Sequence, residues 1–131
     1  ANIFNMLGIK NSYRKAFKLL DSGKAFSKMV EIIKAQGGKE IAAEDIKIGK
    51  FAHDAVSPKS GKVASIDNIA VSRIARIAGA PLDKGAGIYL YKHVMDKVKR
   101  GEKLFTIYSE SRRELDYSVD MAKKMKVFEI R

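Results

Sequence analysis

The alternation of hydrophobic and polar residues is clearest between Val56 and Ser109, and the rest of the chain is arranged around this stretch. Polar and apolar side chains alternate over residues 63–67, as they do in a half-buried strand. A short helix follows, and its apolar face is made by Ala70, Ile74, Ile77 and Ala78. Asn68 is predicted to cap this helix, and Gly79 and Pro81 to end it.

The second half of this stretch predicts further strands and a hairpin. Their apolar sides are supplied by Ile88, Leu90, Val94, Val98, Leu104, Phe105 and Ile107. The hairpin is predicted to close at Arg100 and Gly101. We expect Val63–Asp67, Ile88–Leu90 and Leu104–Ile107 to be mutually paired strands around one embedded helix.

Three short helices are predicted before this core. They cover residues 2–7, Ser12 to Ser22, and about Lys24 to Gln36, and a glycine ends each of them. The apolar stripes of the second and third are Tyr13, Ala16, Phe17 and Leu20, and Phe26, Met29, Val30 and Ile33. Short helices need a surface to pack against. Because the chain starts without Met, we expect it to be part of something longer that supplies this surface.

The remaining segments complete an α+β pattern. Residues 39–55 form a connector with at most one short strand, in which Ile41, Ile46, Ile48 and Phe51 could lie along a core. A final helix opens with a Ser-x-x-Glu capping box at Ser111 and Glu114. Its buried face is predicted to be Leu115, Val119 and Ala122, with Met125 near its end. Residues 127–130 then form a closing strand.

Composition limits the function classes. The 131 residues carry a net charge of +11, which makes an anionic partner plausible, but the basic excess is divided almost evenly between residues 1–50 and residues 51–131. Lysines on solvated faces explain most of it. There are no cysteines, which excludes disulfides and thiolate metal sites and suits a reducing cytoplasm. No apolar run approaches the roughly 20 residues that span a bilayer.

Candidate catalytic residues are scarce. His53 and His93 are far apart and lack metal-ligand companions, so we interpret both as surface or strand-edge residues. The adjacent carboxylates of Glu44 and Asp45 do not face each other. Ser109 and Ser111 show no associated base. We therefore predict no catalytic, cofactor-binding or metal-binding residue in this chain.

Two motifs suggest other functions. Lys84-Gly85-Ala86-Gly87 resembles a phosphate loop, but a strand follows it where a Walker loop would open a helix, so we favour a tight structural crossover. The turn within residues 96–104 is similar to one in biotinyl and lipoyl carrier domains. The carrier lysine must lie at a hairpin tip, and Lys124-Met125-Lys126 lies at a helix end.

An ordered series of segments resembles the C-terminal domain of the thymidine and pyrimidine-nucleoside phosphorylase family. The central segments are Ser60-Gly61-Lys62-Val63 with Ile66-Asp67-Asn68, Ile74-Ala75-Arg76-Ile77-Ala78-Gly79-Ala80-Pro81, and Asp83-Lys84-Gly85-Ala86-Gly87-Ile88. The flanking ones are Met6-Leu7-Gly8-Ile9, Ser22-Gly23-Lys24-Ala25, Ala35-Gln36-Gly37-Gly38 and Ile107-Tyr108-Ser109-Glu110-Ser111. The central segments are most similar to the family's archaeal branch, the AMP phosphorylases.

The resemblance implies an α/β-hammerhead fold preceded by short helices. Residues 1–38 would be the end of the catalytic α/β domain, and residues 39–131 the α/β-hammerhead C-terminal domain. The implied reaction is phosphorolysis of a glycosidic bond, with inorganic phosphate as co-substrate and no cofactor in this segment. The partners would be the α/β and helical domains of the parent chain and further copies in a homo-oligomer. The catalytic groups would lie upstream, so the isolated segment should be inactive.

One alternative is a free-standing nucleic-acid-binding module, suggested by the positive charge and by eleven tyrosines and phenylalanines. Against it, Phe17, Phe26, Phe105 and Phe128 fall on predicted core positions. A carrier domain is the other alternative.

Overall fold

A computed structural model describes residues 1–39 and 46–131, which fall into two compact units, Ala1–Ile46 and Lys47–Arg131. The first unit contains helices α1 (Asn2–Met6), α2 (Ser12–Asp21) and α3 (Lys24–Ala35). The second unit contains β1 (Phe51–Val56), β2 (Gly61–Ile66), α4 (Asn68–Ile77), β3 (Gly87–Leu90), β4 (Lys97–Val98), β5 (Lys103–Ser109), α5 (Arg112–Lys124) and β6 (Phe128–Ile130).

The helices of the first unit are confirmed to within one or two residues, and the glycines that follow α1, α2 and α3 have positive φ. Their apolar stripes are not core, however. Phe17 is 59% exposed, Leu20 70% and Phe26 54%. The prediction that Phe17 and Phe26 occupy core positions is therefore wrong for this chain, because three short helices bury too little surface among themselves.

The strands of the second unit form two antiparallel three-stranded sheets, with orders β1–β5–β3 and β4–β2–β6. The α+β class is confirmed. The expected pairing of Ile88–Leu90 with Leu104–Ile107 is confirmed, because β3 pairs with β5 and Ile88 lies opposite Ile107. The expected pairing of Val63–Asp67 with these two strands is wrong, because β2 pairs with β4 and β6 in the other sheet. Local alternation predicted the position of these strands but not the sheet to which β2 belongs.

The hairpin predicted at Arg100 and Gly101 is also wrong. β4 pairs with β2, and β5 pairs with β1 and β3, so this turn joins the two sheets. The backbone of the turn at Arg100 and Gly101 forms hydrogen bonds with the turn between β1 and β2. Gly101 N donates to Ser57 O at 2.8 Å, Ser57 N donates to Glu102 O at 2.8 Å, and Arg100 N donates to Ser60 Oγ at 3.0 Å.

The connector before β2 contains a longer strand than expected, since β1 has six residues and pairs along β5. Ile46 and Ile48 are exposed, which contradicts their predicted place along a core, whereas Phe51 packs against the core. Ile41, Glu44 and Asp45 lie outside the described residues.

The core of the second unit lies where α4 and α5 pack against each other, with α4 against β3 and α5 against β1 and β5. Its buried apolar residues are Val63, Ala70, Ile74, Ala78, Val98, Leu104, Phe105, Ile107, Leu115, Val119, Val127 and Ile130. Each large one contributes about 1.5–3 kcal/mol by leaving water. The predicted apolar faces are confirmed for α4 at Ala70, Ile74 and Ala78 and for α5 at Leu115 and Val119, with Ala122 and Met125 packed against the core. Ile77 is only half-buried, and Val94 is half exposed in the loop before β4.

Helix capping differs from the prediction at both α4 and α5. The α4 cap is Asp67, whose Oδ1 accepts from the amides of Ile69 and Ala70 at 2.9 and 3.0 Å. Asn68 is the first helical residue. At α5, Ser111 Oγ accepts from Glu114 N at 3.5 Å, but Ser111 N donates to Ser109 Oγ, so only half of the capping box forms.

The capping assignment can be tested by two single substitutions. Asp67→Ala should lower the free energy of unfolding by about 1 kcal/mol, because two amides at the start of α4 lose their acceptor. Asn68→Ala is the matched control and should change it by less than about 0.5 kcal/mol. Urea denaturation of the 131-residue chain measures both. Equal effects would show that Asp67 is not the functional cap.

Candidate functional site

The residues considered for catalysis remain apart in the structure. His53 lies on β1 opposite Ile107, with an exposed side chain, and His93 lies in the loop after β3, where its amide donates to Asp96 at 2.7 Å. No group of three or more histidine, cysteine or acidic residues that could hold a metal occurs within residues 1–39 and 46–131. Nor is any helix in this part of the chain long and apolar enough to cross a membrane.

Ser109 and Ser111 have structural partners. The Ser109 side chain is fully buried, and its Oγ donates to Ala78 O at 2.7 Å, which ties the end of α4 to the end of β5. Ser109 Oγ also accepts from Ser111 N at 3.2 Å. Neither hydroxyl has a histidine or lysine among these partners, so the geometry offers no activated nucleophile.

The glycine loop before β3 is filled from within the protein. Gly85 N donates to the Glu110 carboxylate at 2.9 Å, and Gly85 O accepts from Gly49 N at 2.7 Å. A Cβ at Gly85 would come within 2.7 Å of Gly49 N, so the approach of the two backbones requires glycine here. Because a carboxylate already occupies the Gly85 amide, this geometry favours the structural crossover over a phosphate loop.

Lys124 is the last residue of α5, and Met125 packs against the core. The segment Lys124-Met125-Lys126 thus follows a helix and is not the tip of a hairpin. The turn at residues 99–102 is held by its own glutamate: Lys99 N donates to Glu102 Oε2 at 2.8 Å, and Lys92 Nζ contacts Glu102 Oε1 at 2.6 Å. The hydrogen bond from Lys92, followed by that from the Lys99 amide, lowers the pKa of Glu102.

A polar cluster on the sheet β1–β5–β3 escaped the sequence analysis. Its members come from neighbouring strands and from the residue after β3. Thr106 Oγ1 donates to Asp54 Oδ1 at 2.6 Å and lies 3.2 Å from the Tyr91 hydroxyl. Lys103 Nζ lies 2.6 Å from Asp54 Oδ2 and 5.9 Å from the centre of the Tyr91 ring. No spacing in the sequence links Asp54 to Thr106, because they meet only through strand register.

The cluster shifts the pKa values of its members. The hydrogen bond from Lys103, followed by that from Thr106, lowers the pKa of Asp54. The same pair raises the pKa of Lys103. Tyr108, which lies two residues after Thr106 on β5, is a neighbour of the cluster, and desolvation, followed by a hydrogen bond with Tyr91, raises its pKa. The cluster holds the charges of Asp54 and Lys103 in an internal pair and does not provide an acid or base near neutral pH.

An apolar groove of about 560 Å³ lies in the second unit. It lies between β1 and β6 and is bordered by α5. Phe105 and Phe128 stack in its wall, with ring centres 5.9 Å apart, and Val119 and Met125 add apolar surface. The groove contains no cluster of catalytic groups.

Comparison with known proteins identifies what this arrangement resembles. The profile of the pyrimidine nucleoside phosphorylase C-terminal domain matches residues 62–129. The chain is 44% identical over 130 residues to AMP phosphorylase 2 of Archaeoglobus fulgidus, covering 98% of this chain and 26% of that protein. It is 49% identical over 112 residues to AMP phosphorylase of Thermococcus kodakarensis, covering 85% and 22%. The chain therefore spans about a quarter of the length of the curated relatives that it matches.

The polar cluster makes a prediction about acid titration. Because the pKa of Asp54 is lowered on folding, its ionised form stabilises the fold above the ordinary carboxyl pKa of about 3.9, and this contribution is lost as the pH falls through the lower folded-state value. Lys103→Ala should raise the pKa of Asp54 more than Thr106→Val does. Carbon-detected NMR titration of the Asp54 carboxyl measures both. A larger effect of Thr106→Val would contradict the order of causes.

Proposed function

This chain belongs to the family of the pyrimidine nucleoside phosphorylase C-terminal domain, and on that premise we propose that it is the C-terminal part of an AMP phosphorylase. The observation that carries the proposal is the 44% identity to an AMP phosphorylase over 98% of this chain. In the proposed reaction, an oxygen of inorganic phosphate forms a bond to C1′ of the ribose while the bond from C1′ to the base breaks. The base leaves with a proton, and the products are adenine and ribose 1,5-bisphosphate.

The role proposed for this segment is structural support of a catalytic body. Phosphorolysis needs cations, amides and hydroxyls around the phosphate, and an acid beside the leaving base. Among the described residues, the Ser109 hydroxyl and the Gly85 amide each form a hydrogen bond within the protein, and Asp54 forms an ion pair with Lys103. We assign no catalytic residue here and place those groups in other parts of the parent chain. Those groups would bind inorganic phosphate as the co-substrate, and we propose that no cofactor binds to this segment.

The two units differ in how much of their own apolar surface they bury. Lys47–Arg131 buries an apolar core of its own, whereas α2 and α3 leave their apolar stripes exposed. We propose that residues 1–38 are the end of the catalytic α/β domain and that the rest of that domain covers these stripes. Residues 39–131 would then be the α/β-hammerhead domain that packs on it. The proposal extends to a homo-oligomer in the cytoplasm, and the lack of cysteine fits that reducing compartment.

The first test is an activity measurement. The 131-residue chain should release no adenine from AMP and phosphate, whereas the product of the complete coding region should do so in a phosphate-dependent manner. That region should encode a Lys-x-Ser motif and a Gly-rich phosphate-binding segment before Ala1. Adenine release by the chain alone would overturn the structural role, and absence of those upstream motifs would overturn the phosphorylase assignment.

The second test concerns the stripe on α2. Phe17→Asp should leave the unfolding of the 131-residue chain nearly unchanged, because the side chain is 59% exposed there. In the full-length enzyme it should cost about 2 kcal/mol, the value of burying a phenylalanine. Lys15→Asp is the control on the same helix and should be mild in both proteins. Denaturant unfolding measures the effects, and an equal effect of Phe17→Asp in both proteins would exclude a covering domain.

A further inference from the structure

Two strands border the apolar groove, and each has an edge without a strand partner. Among the described residues β1 pairs only with β5, and β6 pairs only with β2. The outer edges of β1 and β6 therefore carry backbone N–H and C=O groups that no neighbouring strand satisfies. Unpaired edges of this kind are templates for an added strand.

The lining of the groove shows that the edge of β1 faces it. Residues 53–56 of β1 line the groove as a consecutive run, whereas β6 contributes only Phe128 and Ile130, which point to the same face of that strand. Successive side chains of a strand point to opposite faces, so an uninterrupted run means that the edge of the strand, with its backbone, is presented to the groove. An occupant would meet backbone hydrogen-bonding groups as well as side chains.

The chemistry of the groove limits what the occupant can be. Phe105, Val119 and Phe128 supply an apolar wall. Lys59 and Lys126 line its rim with exposed side chains, and Lys123 also lines it but lies 3.4 Å from Asp120 Oδ1. The one carboxylate in the lining, that of Asp54, is paired with Lys103 at 2.6 Å. The groove thus combines apolar walls with a net positive rim.

We propose that this groove binds an extended peptide with alternating apolar residues and acidic ends, which adds to β1 as a further strand. Backbone hydrogen bonds to β1 would supply affinity, as in other strand-addition complexes. Every second side chain of the peptide would enter the groove, and the acidic ends would lie near Lys59 and Lys126.

The test uses defined peptides and the 131-residue chain. The probe is an acetylated and amidated peptide with the sequence Glu-Val-Thr-Val-Thr-Val-Glu. One control replaces both glutamates by lysine, which reverses the charge of the ends. Another carries N-methyl groups on alternate amides, which removes main-chain donors but keeps the apolar side chains. Binding is followed by shifts of the backbone amide signals in nitrogen–proton correlation spectra.

The protein variants are matched for charge. Lys59→Glu changes the rim of the groove, and Lys97→Glu makes the same change on β4, which does not line it. Lys59→Glu should weaken binding of the acidic peptide by about threefold, and Lys97→Glu should have a smaller effect. N-methylation should weaken it by about tenfold, because buried main-chain groups lose their partners. Ala122→Phe, which fills the groove, should abolish binding, with circular dichroism confirming the fold.

The expected result is saturable shifts confined to residues 52–56 and 125–130, stronger for the acidic than for the basic peptide. Three outcomes would overturn the proposal. The first is an absence of saturable shifts up to millimolar peptide. The second is equal binding of the N-methylated peptide, which would mean that the groove binds small amphiphilic anions through their apolar parts and that no strand is added to β1. The third is concentration-dependent shifts of β1 without peptide, which would mean that a second copy of the chain covers the edge.

Discussion

Burial of β5 on both of its faces is the constraint on which the second unit depends. Leu104, Phe105, Thr106 and Ile107 are all at most 5% exposed, so this strand has no solvent face over four consecutive residues. On one side, apolar side chains meet the helices. On the other side, the Thr106 hydroxyl is buried and must be satisfied, because an unpaired buried polar group costs more than a hydrogen bond gains. The network with Asp54, Lys103 and Tyr91 follows from that requirement.

The two sheets are joined at a seam of two turns. Backbone hydrogen bonds link the turn at residues 57–60 with that at residues 99–102, and the buried Ser57 lies at the centre of the seam. At the opposite end of the unit, Gly85 meets Gly49, and Ser109 joins the end of α4 to β5. Glycines and small hydroxyl residues occupy these positions because backbones must approach closely there. The residues that resemble phosphate-binding or nucleophilic motifs therefore form hydrogen bonds that stabilise the fold.

The internal pairing of these polar groups indicates what role the second unit can have. A unit whose candidate polar groups are paired internally is suited to support a reaction in another domain, and the membership of this chain in a phosphorylase C-terminal domain family agrees with that role. The exposed stripes of α2 and α3 indicate what the first unit needs, which is apolar surface from outside itself. The groove between β1 and β6 differs from these stripes, because it offers backbone groups as well as apolar side chains.

The sequence by itself determined the helices, the order of the elements and the family. These depend on periodicity, glycine stops and ordered motifs, all of which act over a few residues. Tertiary structure decided how β1, β2, β4 and β6 pair, that Asp67 and not Asn68 caps α4, and that Asp54 meets Thr106 and Lys103. Strand partners far apart in sequence are selected by the packing of the whole core, which no local pattern encodes. For the same reason, exposure of the aromatic residues on α2 and α3 could not be read from their helical spacing, since that spacing specifies a face but not what covers it.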